Sequence, residues 1–417
     1  MKIVNFGSCN IDHVYKLEHI VVAGETVHSR EAETFPGGKG LNQSIATARA
    51  GAKVYHAGCI GNDGELLQNV LSGSGVDLRY LKIVDCACGH AVIQVDDRGE
   101  NAIFIFTGAN GCFSIPYIDS TLDNFERGDI LLLQNEINNN DYIIERASEK
   151  GMFIILNPSP INDAIKNIDL NKISCLVMNE IEGEALSGQK QPSKIISYFQ
   201  KNYPGMKTVL TLGDKGCFYY DGEQTIYQSA YDVDVVDSTA AGDTFTGYFV
   251  AALSMGLPSR KIIERSCAAA AIAVSRAGAA PSIPTKDEVD EILLKLTPKE
   301  SETERSAKVT KELINAYIEA NLQSANLEGL SKKLGYSAVY TGAVVKKTTG
   351  ATFSRYLLEK RCFAAAKMLE GTDRPVGEIV ERVGYSNQSY FREAFREIFG
   401  VCPAAYRQMM TQKGKDK

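Results

Sequence analysis

The stretch Asp237-Ser238-Thr239-Ala240-Ala241-Gly242-Asp243-Thr244-Phe245 joins a run of small residues to a helical pattern. Because Ala240, Ala241 and Gly242 have almost no side chain, their backbone N–H groups can approach an anion closely, and a helix N-terminus adds positive potential. Asp243 would then lie where a bound phosphate meets an acceptor group. Asp is also a common N-cap residue. This stretch alone leaves both interpretations open.

A second glycine-rich stretch, Phe35-Pro36-Gly37-Gly38-Lys39-Gly40-Leu41-Asn42-Gln43, lies near the N-terminus. It predicts a turn that leads into a helix packed through the alanines of residues 44–50. Its glycines would let the backbone close around a small polar ligand. Upstream, residues 3–7 predict a buried strand that is followed by Ser8-Cys9-Asn10-Ile11-Asp12. Ligand groups lie at such carboxyl ends of strands in open α/β sheets.

The pattern of apolar runs predicts the fold class. Apolar runs at residues 130–133, 153–156, 175–178 and 208–211, the last flanked by threonines, are separated by polar segments of helix length. This alternation is typical of an α/β protein with a mainly parallel sheet buried on both faces. Residues 91–95 and 102–106, joined through Asp97-Arg98-Gly99, predict a β-hairpin.

Residues 1 to about 297 resemble the PfkB, or ribokinase-like, family of carbohydrate kinases. The motifs that carry the resemblance occur in family order: Gly7-Ser8-Cys9-Asn10-Ile11-Asp12, the turn from Gly37 to Asn42, Asn179-Glu180-Ile181-Glu182, Thr211-Leu212-Gly213-Asp214-Lys215-Gly216 and the segment from Asp237 to Asp243. The resemblance implies a mainly parallel central sheet flanked by helices, with a small β lid from strands at about 8–20 and 90–108. It also implies a homodimer joined through the lid.

The implied activity is ATP-dependent phosphorylation of a sugar hydroxyl, with D-ribose as the expected sugar and ribose 5-phosphate as the product. A fructokinase or nucleoside kinase, and a catalytically silent sugar sensor, remain alternatives. The resemblance gives Asp243 the role of base, with Ala240, Ala241 and Gly242 holding the transferring phosphoryl group. The residues implied to bind the sugar are Asn10, Asp12, Gly38, Lys39, Asn42, Glu136 and Asp243. Those implied to bind ATP are Asn179, Thr211, Gly213, Asp214, Gly216, Gly242 and Cys267.

Two cations are implied by the same resemblance. Glu182 would hold magnesium through water, since magnesium is commonly bound through waters and substrate phosphates. A monovalent cation, expected to be potassium, would be held largely by backbone carbonyls of Asp237, Thr239, Ala273, Arg276, Gly278 and Ser282. The expected cofactors are therefore ATP, magnesium and potassium.

The composition changes after Leu296. Residues 298–307 are charged and polar and predict a solvated linker. From Lys299 onward there are 20 Lys and Arg against 14 Asp and Glu, a net charge of +6. The whole chain carries −6, so the first 298 residues carry −12. A basic C-terminal region suits a polyanionic partner or a solubilising surface.

Two repeated patterns decide between these. Residues 326–337 predict an amphipathic helix, a glycine turn and a new helix start, and Pro375-Val376-Gly377-Glu378-Ile379-Val380-Glu381-Arg382-Val383-Gly384-Tyr385-Ser386 repeats them. Residues 352–370 predict a long helix between the repeats. Residues 308–410 resemble the AraC/XylS-type double helix-turn-helix DNA-binding domain, an all-α unit followed by a basic tail at 411–417. The resemblance implies binding of double-stranded DNA and transcription regulation.

The two recognition helices would enter successive major grooves about 34 Å apart. In the second, Tyr390, Phe391, Ala394, Phe395 and Ile398 are expected in the core. The expected DNA-binding residues are Asn387, Gln388, Arg392 and Glu393 at base edges, with Arg396, Lys346 and Lys347 on the phosphate side. The first recognition helix has few long polar side chains and contains Gly342, so the second helix should dominate sequence reading.

The remaining sequence features set bounds. A chain of 417 residues with 44% hydrophobic content can form two or three globular units. No signal peptide or membrane-length apolar run is present, so a cytoplasmic location without a membrane partner is expected. Ten cysteines lack paired metal-ligand spacing, and Cys86 and Cys88 near His90 are expected to be reduced thiols.

Overall fold

The computed structural model describes residues 1–293, 311, 313–334 and 338–413, without the side chains of residues 166, 167, 334, 339, 340 and 411–413. The chain divides into two compact units, Met1–Lys299 and Glu300–Lys417. The predicted linker at 298–307 lies outside the described residues, as does the end of the predicted basic tail.

Thirteen strands are described in the first unit: β1 Ile3–Phe6, β2 Asn10–Lys16, β3 Glu31–Gly37, β4 Val54–Ile60, β5 Leu81–Ile83, β6 Gly89–Val95, β7 Asn101–Phe106, β8 Ile130–Gln134, β9 Phe153–Asn157, β10 Cys175–Asn179, β11 Lys207–Thr211, β12 Cys217–Tyr220 and β13 Thr225–Gln228. Nine form the central sheet, in the order β13-β12-β11-β10-β9-β8-β1-β4-β5. Only the pairings that involve β12 and β13 are antiparallel among these described strands. The predicted mainly parallel α/β sheet is confirmed.

Alternating residues of the central strands supply two hydrophobic cores, one on each face of the sheet. On β1, Ile3 enters one core, whereas Val4 and Phe6 enter the other. Neighbouring Leu132 and Leu131 of β8 divide in the same way. Burial on both faces explains why these strands have continuous apolar sequences rather than an alternating pattern.

Nine α-helices pack around this sheet: α1 Lys39–Arg49, α2 Glu65–Gly73, α3 Ile115–Leu122, α4 Asn140–Glu149, α5 Glu180–Ser187, α6 Pro192–Asn202, α7 Ala241–Ser254, α8 Ser259–Val274 and α9 Lys286–Leu293, counted over residues 1–293. Helices α1, α7 and α8 contribute to the core that contains Ile3, and α3, α4 and α6 to the other. Gly247 of α7 lies against α1: a Cβ there would be 2.4 Å from the Cβ of Ala46. The absence of a side chain lets the two helices approach closely.

A separate four-stranded sheet, in the order β3-β2-β6-β7, forms the lid. The predicted hairpin is confirmed, because β6 and β7 pair antiparallel from His90 with Phe106 to Val95 with Asn101. The predicted turn at 35–43 is wrong in extent. Strand β3 continues to Gly37, which pairs with Asn10, and α1 already begins at Lys39. Only Gly38 turns the chain, with φ 94° and ψ 135°, a conformation suited to glycine.

The second unit is helical: residues 313–320 (α10), α11 Leu327–Leu334, α12 Ala338–Thr349, α13 Phe353–Gly371, α14 Val376–Arg382, α15 Gln388–Phe399 and α16 Pro403–Lys413. It contains two hydrophobic clusters. Phe353 and Leu357, at the start of α13, belong to the first, and Leu358 to Leu369 belong to the second with α14 and α15. The predicted connecting helix is therefore confirmed, and it supports one helical subunit at each end. The turn predicted at 335–337 lies outside the described residues.

One predicted core residue of α15 is not in the core. Phe391, Ala394 and Phe395 are buried as expected and Ile398 is partly buried, but Tyr390 is 53% exposed. Positions 391, 394 and 395 share one helical face, and residue 390 lies about 100° away from 391. The helix therefore turns Tyr390 towards solvent. No helix in the described part of either unit is long and apolar enough to cross a membrane.

Candidate active site

The turn before α7 is defined by the backbone conformation of Ala240. Ala240 is the N-cap of α7 and has φ 59°, a left-handed conformation that is uncommon for a residue with a side chain. Asp243 is the third residue of the helix and is 7% exposed. The alternative in which Asp243 is the N-cap is therefore wrong. Residues 240–242, called the anion turn below, present the first N–H groups of the helix, which have no intrahelical acceptor, although the Ala241 N–H donates to the Ser238 carbonyl at 3.3 Å.

Helix α1 holds the Asp243 carboxylate from the other side. Asn42 Nδ2 donates to Asp243 Oδ2 at 3.1 Å, and Gln43 Nε2 donates to Asp243 Oδ1 at 2.9 Å. Asn42 is 5% exposed, and its Oδ1 has no hydrogen-bond partner within the protein. A buried acceptor without a partner costs free energy. Asn42 Oδ1 is thus a buried, unpaired acceptor on the residue that holds Asp243.

Two adjoining cavities meet at the anion turn. The first, of about 330 Å³, is lined by Tyr231, Val233, Val235 and several of the residues predicted to bind ATP: Thr211, Gly213, Asp214, Gly216, Gly242 and Cys267. The second, of about 260 Å³, is polar and is lined by Lys39, Asn157, Asn179, Glu182 and residues 240–243. Thr211, Ala241 and Gly242 line both. This arrangement suits a flat ring in the first cavity and its phosphates in the second.

Asn10 and Asp12 on the lid strand β2 lie on the same side as Glu136, which follows β8 of the central sheet and interacts with Asp12 electrostatically. Glu136 Oε2 accepts hydrogen bonds from Ser8 Oγ and from the backbone N–H of Lys39, the latter at 3.0 Å. Burial raises the pKa of Glu136, although Lys39 opposes this. Burial, and then the negative charge of Glu136, raise the pKa of Asp12 to about 6. Paired carboxyl groups of this kind suit a ligand with several hydroxyl groups.

Asn110 is a residue of this cluster that the sequence did not reveal. Its Nδ2 donates to Asn10 Oδ1 at 2.7 Å, and its Oδ1 accepts from the backbone N–H of Cys9 at 2.9 Å. It follows the lid strand β7 and is 2% exposed. Asn110 therefore orients the Asn10 side chain. The only signal in the sequence is a polar residue after a lid strand, which is too common to identify a site residue.

Lys39, which is predicted to bind the sugar, lines the second cavity together with Asp243 and the anion turn. The pKa of Lys39 is raised, chiefly by Asp243 and then by Glu136 and Glu182, against an opposing effect of burial. The ammonium group is therefore charged and faces three carboxylates. It lies where it can neutralise a transferring phosphoryl group.

Asn179 and Glu182 form a capping box at the start of α5. Asn179 Oδ1 accepts from the Glu182 backbone N–H at 2.9 Å, and Glu182 Oε2 accepts from the Asn179 backbone N–H at 2.9 Å. Glu182 is 5% exposed and lines the phosphate cavity. No group of three or more His, Cys, Asp or Glu in the described ranges could enclose a metal ion. The donor set fits magnesium held by substrate phosphates and waters, with Glu182 beyond the waters.

The predicted monovalent cation residues converge in part. Asp237 Oδ1 accepts from the backbone N–H of Thr239 at 2.8 Å, and its Oδ2 accepts from the Gly278 N–H at 2.9 Å. Burial would raise the pKa of Asp237, but these hydrogen bonds hold it below its usual value. Arg276 donates to Glu288 through Nη2, so only its carbonyl could be a ligand. Ala273 and Ser282 lie at the two ends of this loop. Carboxylate and carbonyl oxygens fit a hard cation such as potassium.

Most of the predicted DNA-binding side chains lie on exposed faces of α12 and α15. Gln388, Arg392, Glu393 and Arg396 are exposed on α15, and Lys346 and Lys347 on α12. Asn387 is also exposed, but it is the N-cap of α15 and its side chain accepts from the Tyr390 N–H. Its Oδ1 is thus committed to the helix. Thr341 of α12 is fully buried and cannot reach a base.

The cleft joins a phosphate-binding turn, a buried carboxylate and a cluster of hydroxyl-binding groups at the carboxyl edge of an α/β sheet. These features define a phosphotransferase that acts on an alcohol group. Residues 1–286 match the model of the pfkB family carbohydrate kinases, and the chain belongs to this family. Residues 330–409 match a helix-turn-helix domain. The protein is therefore an ATP-dependent sugar kinase that carries a helix-turn-helix DNA-binding domain.

Known relatives agree over the first unit. The chain is 35% identical to the ribokinase of Haemophilus influenzae over 298 residues, which are 69% of this chain and 96% of that protein. It is 35% identical to the ribokinase of Staphylococcus aureus over 302 residues, 70% of this chain and 99% of that protein. A solved structure of Arabidopsis thaliana ribokinase with ribose and ATP has a TM-score of 0.64 and 31% identity, and the match covers 70% of this chain and 98% of that one.

Proposed function

We propose that the first unit transfers the γ-phosphoryl group of ATP to D-ribose, giving ribose 5-phosphate, and that the second unit couples this sugar chemistry to sequence-specific DNA binding. The observation that carries the proposal is the meeting of the anion turn, the buried Asp243 carboxylate and the unpartnered Asn42 Oδ1 at one point. A sugar hydroxyl bound to Asn42 would lie beside the base and the phosphate cavity.

The reaction follows from these positions. Asp243 accepts the proton of the attacking hydroxyl, whose oxygen then bonds to the γ-phosphorus while the bond to the β-phosphate oxygen breaks. The N–H groups of residues 240–242 and the charged Lys39 stabilise the negative charge on the transferring group. Asn10, Asp12 and Glu136 hold the other hydroxyls, and the apolar first cavity takes the nucleotide base.

Magnesium, when bound near Glu182, would neutralise charge on the ATP phosphates. Asp237 and the carbonyls of the loop that ends at Ser282 would hold potassium. Asp237 also holds Thr239 immediately before the anion turn. We therefore expect the cation to stabilise the conformation in which the N–H groups face the phosphates.

Ribose as the substrate is supported by the relatives named above. Deoxyribose, fructose and nucleosides are the competing acceptors. The test is a panel of these sugars with ATP, measured by ADP release, with Asp243→Asn as the blank. We expect turnover of ribose above all others and loss of at least about 10³-fold in the blank, as for removal of a catalytic base. Turnover of a nucleoside but not of ribose would show that the substrate is a nucleoside. Full activity of the Asp243→Asn variant would show that Asp243 is not the base.

A homodimer joined through the lid is part of this proposal. Ile103, Phe104, Ile105 and Phe106 of the edge strand β7 are each at least 50% exposed. A row of apolar side chains on an unpaired edge strand is unfavourable in water and suits a second copy of the same lid. Light scattering should give twice the mass of the chain, and a concentration-independent monomer would contradict the dimer.

The DNA-binding role is supported by the exposed polar face of α15 and by the helix-turn-helix match. Selection from random duplexes, followed by a gel-shift titration with and without ribose, would test it. We expect one preferred sequence and an affinity that changes when ribose is added. Binding without sequence preference would contradict regulation through a specific operator.

A further inference from the structure

A line of buried amide side chains extends from Asp243 into the centre of the sheet. Gln43 donates to Asp243, and Gln134 Nε2 at the end of β8 donates to Gln43 Oε1 at 2.8 Å. The same nitrogen donates to Asn5 Oδ1 of β1 at 3.0 Å. Asn5, Gln43 and Gln134 are each at most 1% exposed. None of these residues belongs to the predicted site.

The orientation of every amide in this line is determined by backbone carbonyls, which can only accept. Asn5 Nδ2 donates to the Gly40 carbonyl at 2.8 Å, so Asn5 Oδ1 must face Gln134. Gln134 therefore directs its NH₂ group towards Asn5 and Gln43, and Gln43 accepts this hydrogen bond through Oε1. At the other side, Asn157 Nδ2 donates to the Val177 carbonyl at 2.9 Å, and its Oδ1 accepts from Gln43 Nε2 at 3.0 Å. Gln43 Nε2 is thus forced to face the Asp243 carboxylate.

From Gln134 onward the donors all point one way: Gln134 donates to Gln43, and Gln43 donates to the Asp243 carboxylate. Both hydrogens of Gln43 Nε2 are used, one on Asn157 and one on Asp243. Hydrogen bonds to an ionised group in a buried, low-dielectric setting are strong and directional. Asn42 fixes the other carboxylate oxygen but also faces the sugar side, whereas Gln43 is fully buried and can touch neither substrate.

We propose that Gln43 is a positioning residue for the phosphoryl transfer and that Gln134 holds it in place. Gln43 sets the plane of the Asp243 carboxylate so that a lone pair points at the sugar hydroxyl. Gln134 acts only through Gln43, since no hydrogen bond joins it to Asp243 among the bonds described. This inference rests on the proposed role of Asp243 as the base.

The test replaces each glutamine by methionine, which has a similar length but no N–H donor. We expect Gln43→Met to lower kcat by about 10- to 100-fold, because a misdirected base loses alignment rather than binding. Gln134→Met should lower kcat by a smaller factor, about 3- to 10-fold, in the same direction. KM for ATP should stay within twofold in both. Gln228→Met is the matched control: it removes another buried glutamine, on β13, whose Nε2 donates to the Ser229 carbonyl.

A double-mutant cycle separates positioning from general damage. In an Asp243→Asn background, Gln43→Met and Gln134→Met should cause no further loss, because the group through which they act is gone. If either lowers the residual rate by the same factor as in the wild type, or if neither changes kcat in the wild type, the proposal is wrong. Full activity of the Asp243→Asn variant alone would instead contradict the role of Asp243 as the catalytic base. Thermal unfolding of each variant confirms that it is folded, and Gln134→Met tests the line even if Gln43→Met does not fold.

Discussion

Replacing Gly247 by alanine should separate the stability of the first unit from its activity. A Cβ at this position would lie 2.4 Å from Ala46 Cβ and 2.8 Å from the Gln43 carbonyl oxygen. Carbon atoms in contact are about 3.5 Å apart, so α7 and α1 would have to move apart by about 1 Å.

This displacement acts directly on the base. Asp243 lies one helical turn before Gly247 on α7, and Asn42 and Gln43 lie about one turn before Ala46 on α1. The two hydrogen bonds to Asp243, now 3.1 and 2.9 Å, would lengthen towards 4 Å and be lost. A misplacement of about 1 Å can lower kcat about 100-fold.

Stability should change much less. Overpacking costs about 1–3 kcal/mol, whereas alanine is favoured over glycine within a helix by about 1 kcal/mol. The net loss is then about 0–2 kcal/mol. Initial rates of ADP release at saturating ATP and ribose, together with thermal unfolding, would measure both quantities. Gly73→Ala is the matched control, because no atom lies within 4 Å of its Cβ position at the end of α2. A Gly247→Ala enzyme with kcat within twofold of the wild type would refute the argument.

Three further predictions concern charged groups. Lys39→Met should lower kcat by about 100-fold or more with little change in unfolding temperature, because a positive charge beside the transferring phosphoryl group is lost. Lys190→Met, at an exposed lysine, is the control and should behave as the wild type. Equal effects of the two substitutions would contradict a catalytic role of Lys39. Because the pKa of Asp12 is raised to about 6, kcat/KM for ribose should fall as the pH drops through 6 and the carboxylate becomes neutral. Asp12→Asn should abolish this fall of kcat/KM at low pH. If the fall remains unchanged in the variant, it is caused by another titrating group. Arg392→Ala should weaken binding to the selected DNA sequence by about 1–3 kcal/mol. Lys347→Ala should weaken binding to all sequences alike and reduce the slope of log affinity against log salt concentration by about one. If gel shifts give the reverse pattern, Lys347 rather than Arg392 reads the bases.

The parts of the fold with a regular burial pattern could be predicted. Strands β8 to β11 lie between two cores and have mostly apolar central residues, and the lid hairpin is marked by its β-branched and aromatic residues on either side of a turn sequence. Strand β3 was missed because most of its residues are exposed and its sequence, Glu-Ala-Glu-Thr-Phe-Pro-Gly, has no apolar alternation. At its end Gly37 leaves room for the Asp12 side chain, which a Cβ at this position would meet. Such a tertiary constraint leaves no local pattern in the sequence.

The same distinction applies to the site. Asp243 and the anion turn form one continuous motif, so short-range pattern and resemblance were sufficient to select them. Gln43, Gln134 and Asn110 come from different elements and act through hydrogen bonds that exist only after folding. The prediction for Tyr390 is wrong for a different reason: an aromatic residue beside Phe391 fits a core pattern, but the helical period turns it to solvent.

Helix α13 has a mechanical consequence for the operator. Its 19 residues span about 28 Å at 1.5 Å per residue, and its two halves are embedded in different hydrophobic clusters. The helix is therefore a rigid connection between the two proposed recognition helices, α12 and α15. Inserting one residue would turn one recognition helix by about 100° relative to the other, so neither could follow the groove any longer. In the proposed mode of DNA binding, the length of α13 would therefore set the distance between the two contacted DNA segments.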